Sequence, residues 1–117
     1  MRFSFRVEQE KNIDIIYLNG DLMERGDATE LISKIDELIA SSRNTFILNL
    51  ADLKYMNSTG LNLLISILTK ARNHGGEALI TEVSAKIKEL LIVTKLNTVF
   101  TITDSNSKAV EMIEKRL

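Results

Sequence analysis

Cysteine is absent from the 117 residues, which excludes disulfides and thiolate metal ligation and fits a reducing compartment. Proline is absent too, so one common marker of loop boundaries is missing. The single histidine, His74, stands beside Gly75-Gly76, and any histidine-based catalytic triad would have to be built on it alone. At the end of a helical pattern it reads as a solvated cap contributor. Two tyrosines and four phenylalanines come without a basic-aromatic motif, leaving no case for single-stranded nucleic acid. A net charge of −1 gives no electrostatic footprint for nucleic acid or an anionic membrane. Lys70, Arg72, Lys86, Lys88 and Lys95 crowd the second half and read as solvated helix faces. Apolar clusters such as 63–68, interrupted by Ser66, are far too short to span a bilayer, and residues 1–11 lack the apolar block of a signal peptide. These absences point to a cytoplasmic protein without membrane insertion.

Signatures of catalysis are also missing. Gly75-Gly76 is a turn and not a phosphate-binding loop. Asp21, Glu24, Asp27 and Asp52 have no spacing that specifies a metal site or an acid/base pair. Neither cofactor nor metal is expected, and the chain does not read as an enzyme.

What is present is one domain's worth of patterned sequence, 44% apolar and 26% charged. Phe3, Phe5 and Val7 alternate with Ser4, Arg6 and Glu8, the period of a half-buried strand. After a polar break at 9–12 a second strand runs over 13–18 and closes at Asn19-Gly20, so the two suggest a hairpin. Asp27 with Glu30 resembles a capping box, and Ala28, Leu31, Ile32, Ile35, Leu38 and Ile39 follow helical spacing. The compact run 46–50 reads as a strand buried on both faces, followed by a polar-aromatic connection over 52–57. A helix is predicted from about Ser58 to His74, with Gly75 as its left-handed terminator. A strand over 78–83, a helix capped by Ser84, a short strand at 100–103 and a helix from about Ser105 complete the chain. That last helix ends in Lys115 and Arg116, charges that suit its dipole. The order β-β-α-β-α-β-α-β-α implies an α/β domain over 1–117: a mixed, mainly parallel sheet of about five strands with about four helices.

One segment carries candidate chemistry: Asp52-Leu53-Lys54-Tyr55-Met56-Asn57-Ser58-Thr59-Gly60-Leu61. It puts two adjacent hydroxyls where a strand has ended and a helix begins. First-turn N–H groups have no partner inside a helix, and the dipole there favours negative charge. A phosphate on Ser58 fits that position and adds roughly −1.5 to −2 charges to a nearly neutral surface. Gly60 keeps the helix entrance clear of a side chain, leaving room for a partner to approach. The plain alternative is that Asn57 or Ser58 serves only as a helix N-cap.

The segment 49–61 is similar to the central strand, phosphorylation loop and helix start of the STAS domain, especially of anti-sigma factor antagonists. Leu18-Asn19-Gly20-Asp21-Leu22, Gly75-Gly76-Glu77-Ala78-Leu79 and the stretch 83–100 extend the resemblance over essentially the whole chain. It implies a partner-switching protein. The unphosphorylated form binds an anti-sigma factor that is itself a serine kinase, and this frees the sigma factor. Phosphorylation of the loop serine with the partner's ATP breaks the complex, and a phosphoserine phosphatase resets it. By position Ser58 is the acceptor, Thr59 the fallback, and Asn57, Thr59 and Gly60 the frame. Asp21 and Met23 complete the partner-binding set, in a protein expected to be a monomer. Two positions depart from the family pattern: Asn57 and Met23 stand where many relatives carry aspartate. Asparagine still caps a helix but cannot take a proton as a base. The competing readings are a constitutive scaffold of a transporter or signalling complex, in which the Ser58 loop is never modified, and a small enzyme with an unrecognised site.

Overall fold

Alternate residues of a strand share a face, and the first apolar trio uses this to cover one side of an edge strand. In the computed structural model, which describes residues 2–116, β1 (Ser4–Glu10) pairs antiparallel with β2 (Ile13–Leu22). The turn between them places Lys11 at a left-handed φ of 57°. The side chain of Arg116 lies outside the described residues, as do Met1 and Leu117, and the charge expected of Arg116 goes with it. β3 (Thr45–Met56), β4 (Glu77–Thr81) and β5 (Thr101–Thr103) add in parallel, giving a five-stranded sheet in the order β1-β2-β3-β4-β5. The connecting helices are α1 (Thr29–Ala40), α2 (Ser58–Asn73), α3 (Ala85–Val93) and α4 (Asn106–Arg116). The element order is the one the sequence implies.

The two faces of the sheet are covered unequally. Ile16, Leu18, Phe46, Leu48 and Ile80 face a large core closed by Leu31 and Ile35 of α1, Leu64 and Ile67 of α2, and Leu91 of α3. On the opposite face Ile13, Ile15, Ile47 and Leu79 form a smaller cluster with Ala109 and Ile113 of α4, flanked by Val110, Met112 and Tyr17. Polar bonds finish the attachment of α4. Asn106 donates to the Tyr17 hydroxyl at 3.1 Å and accepts from Thr81 Oγ1 at 2.8 Å and from Asn49 Nδ2 at 3.0 Å. Tyr17 in turn donates to Glu8 at 3.1 Å, beneath the Arg6 guanidinium, which lies 3.8 Å from its ring centroid. Burial, then the Glu8 carboxylate, pushes the Tyr17 phenol above its ordinary range.

Several boundaries differ from the sequence reading. β2 continues past Asn19-Gly20 to Leu22 and β3 continues past Leu50 to Met56, so the expected connection at 52–57 is mostly strand. Two irregularities in the β2–β3 register each give β3 one extra residue, between the pairs Tyr17/Asn49 and Asn19/Asp52 and again between Gly20/Leu53 and Asp21/Tyr55. Leu50, Leu53 and Met56 therefore all turn to the large core at three-residue spacing, a pattern that does not look like a strand. β4 stops at Thr81 because Glu82 takes a φ of 53°. Asp27 does not cap α1. It belongs to a 3-10 turn, Arg25–Ala28, where its carboxylate accepts from the N–H groups of Met23 and Glu24 at 3.2 and 3.0 Å. The caps at Ser84, whose hydroxyl accepts from the Ile87 N–H, and at His74, whose Nδ1 lies 2.9 Å from the Lys70 carbonyl, are as expected. Of the basic residues, Lys70 pairs with Asp36 and Arg72 with Glu77, which disperses the charge over helix faces.

Candidate functional site

β4 accompanies β3 only as far as the pair Asn49/Thr81. Beyond it β2 and β3 run on, and past Asn19, where the pairing with β1 also ends, they form a two-stranded ribbon paired from Gly20/Leu53 to Leu22/Met56. Ser58 is the first residue of α2, two residues past the ribbon's end at Met56, and it is exposed, while Thr59 is half-buried.

Asn57 fixes this junction with both ends of its amide. Its Oδ1 accepts from the Gly60 N–H at 3.1 Å, capping α2, and its Nδ2 donates to the Met23 carbonyl at 2.9 Å. Asparagine can make both bonds because its amide offers an acceptor and a donor; an ionised aspartate offers acceptors only. The cap reading of Asn57 is therefore correct, and the same side chain ties the loop after β2 to the loop before α2.

Gly60 is buried, and its role differs from the expectation. A Cβ there would lie 2.1 Å from the Leu22 carbonyl oxygen and 2.7 Å from Met56 Cγ. The space that glycine leaves is filled by the chain's own ribbon, not held open for a partner. Of the other expected residues, Met23 is 39% exposed beside Asn57. Asp21 is half-buried on β2 opposite Tyr55. The structure thus gathers Met23, Asn57 and Gly60 around the base of Ser58, with Asp21 further back along the ribbon.

The sequence reading passed over a neighbouring feature. Tyr55 is 52% exposed on the outer side of the ribbon, with the Lys86 ammonium 4.6 Å from its ring centroid. Tyr55, Met56, Ile87, Leu90 and Val93 line an open groove of about 310 Å³ between the end of β3 and α3, with Lys54, Lys86 and Glu89 also on its lining. The signal for it is in α3, where Val93 extends the apolar set beyond the face that Ile87 and Leu91 bury.

Among the described residues no three His, Cys, Asp or Glu side chains gather as a metal site, and no helix is long and apolar enough to cross a membrane. The five-stranded mixed sheet, with Ser58 at the start of α2, defines an α/β domain, and comparison with known proteins supplies its family. A model of the STAS domain matches residues 4–109, and the chain belongs to that family. It is 24% identical over 115 residues to the anti-sigma F factor antagonist of Paenibacillus polymyxa, covering 97% of each chain. An anti-sigma factor antagonist from Mycobacterium paratuberculosis superposes with a TM-score of 0.81 at 17% identity, over 96% of this chain and 94% of that one. The Bacillus cell fate determinant SpoIIAA in its phosphorylated form gives 0.73 at 19% identity, over 94% and 99%. Structural likeness at these identities establishes a shared fold.

Proposed function

We propose that this chain is an anti-sigma factor antagonist, a binding protein controlled by phosphorylation of Ser58. The observation that supports it most directly is the exposure of Ser58 at the first position of α2, on a junction held by Asn57. The unphosphorylated form binds an anti-sigma factor with serine kinase activity through Ser58, Asn57, Met23 and the ribbon that carries Asp21. Within that complex the Ser58 oxygen attacks the γ-phosphorus of the kinase's ATP. The bond to the bridging oxygen breaks, ADP departs, and the serine proton passes to a base of the kinase. The new dianion lies beside first-turn N–H groups that tolerate it, so the domain stays folded while the interface is repelled. A phosphoserine phosphatase restores the hydroxyl. Thr59 is a poorer acceptor because it is half-buried. Because the donor is ATP, the exchange belongs in the cytoplasm, and the chain enters it as a monomer without a cofactor of its own.

Titration of the source organism's serine-kinase anti-sigma factors against three forms tests the reading. Ser58→Ala is expected to bind like the unmodified protein and to take up no phosphate. Ser58→Asp is expected to bind at least tenfold more weakly, the loss set by one buried like charge. A Ser58→Asp protein that binds as tightly as the unmodified one contradicts it.

A further inference from the structure

The groove beside the ribbon supplies a second contact with the partner. We propose that it receives an acidic, amphipathic segment of the anti-sigma factor, whose apolar side chains fill the groove while its carboxylates meet Lys54 and Lys86. This rests on the reading of the chain as an antagonist that binds such a factor, and it adds a surface that is not itself phosphorylated.

Three observations carry it. The groove is apolar at a place where exposure is costly: Tyr55 is 52% and Val93 73% exposed, and both line it along with Met56, Ile87 and Leu90. Its lining lacks the convergent, buried polar groups that orient a small ligand, and is apolar with charged tips, the pattern of a protein-docking surface. Its charge is also unbalanced. Lys54 and Lys86 take part in no ion pair between described residues, and Glu89 is the one carboxylate on the lining. Lys86 rests over the Tyr55 ring, which holds its ammonium at the groove.

The position makes the groove part of the same binding face. Met56 lines it and directly precedes Asn57-Ser58, which sets the groove and the serine at the same end of β3. An acidic occupant also gives the phosphate something to repel: a dianion on Ser58 would face carboxylates drawn in by the two lysines.

Affinities of single purified serine-kinase anti-sigma factors for a set of variants decide the matter. Val93→Asp and the double variant Lys54→Glu/Lys86→Glu are expected to weaken binding about tenfold or more, and the double variant to flatten its salt dependence. Ile92→Asp, exposed on the same helix but off the groove lining, is expected to change it less than about twofold. Circular dichroism should show all of them folded, since these side chains are exposed. Groove variants that bind like the unmodified protein while Ser58→Asp fails to bind overturn this proposal and leave the Ser58 reading standing. Val93→Asp that converts a dimer to a monomer at unchanged partner affinity overturns it as well, and assigns the groove to a second copy of the chain. Failure of every anti-sigma factor to bind any form overturns both.

Discussion

Residues 45–49 of β3 pair with both β2 and β4, whereas beyond them Asp52, Leu53, Tyr55 and Met56 pair with β2 alone. In the first half Phe46, Ile47, Leu48 and Leu50 are fully buried and Asn49 is 3% exposed. In the second half only Leu53 is buried, Met56 is half-buried, and Ala51, Asp52, Lys54 and Tyr55 face solvent. One strand thus joins a segment that the core dictates to a segment that the core merely anchors. Side chains on the second segment are free to serve a partner, because the fold asks little of them. The ribbon carries the backbone past the sheet and delivers it to Ser58.

The contrast has measurable consequences. Phe46→Ala removes a fully buried ring from the large core between the sheet and its helices, and is expected to cost about 3–5 kcal/mol in urea unfolding. A loss under about 1 kcal/mol would mean that the first half of β3 is less tightly enclosed than described. Gly60→Ala tests the anchor between the ribbon and α2. Its methyl must displace the Leu22 carbonyl, so a loss of about 1–3 kcal/mol is expected, read from the same curves. Wild-type stability there would show that the ribbon is free to move away from α2. Tyr55→Ala, on the exposed half, is expected to stay within about 0.5 kcal/mol of the unmodified protein. A larger loss would make the ribbon part of the core and would blur the comparison.

The same division explains what could be read in advance. Elements that bury a face declare themselves: the run 46–50, the helical spacing of Leu31, Ile35 and Leu38, and the alternation of Phe3, Phe5 and Val7 all led to the right element in the right order. The outer half of β3 was invisible because its core-facing residues, Leu50, Leu53 and Met56, fall three apart, and the two register irregularities that permit this leave no mark in composition. Asp27 misled for a different reason. Its spacing to Glu30 fits a cap, but the carboxylate turns back to the N–H groups of Met23 and Glu24, which only the path of the preceding turn decides. At the site, Asn57 was legible as a cap from local chemistry. Its second bond, to Met23, joins residues 34 apart in sequence and required the fold. Gly60 was read as room for a partner, whereas the atom that needs its missing side chain is the Leu22 carbonyl oxygen, on β2. The groove escaped notice because an exposed tyrosine and valine gain meaning only when α3 is set beside the ribbon.

The most direct test of the account is the intact mass of the protein purified from its source organism, with fragmentation to place any added phosphate. The account predicts one phosphoryl group on Ser58 in a fraction of the chains, and none when Ser58 is replaced by alanine. Chains that carry no phosphate at Ser58 while the cognate kinase is present and active would contradict it, and would reduce the exposed serine to the first residue of a helix.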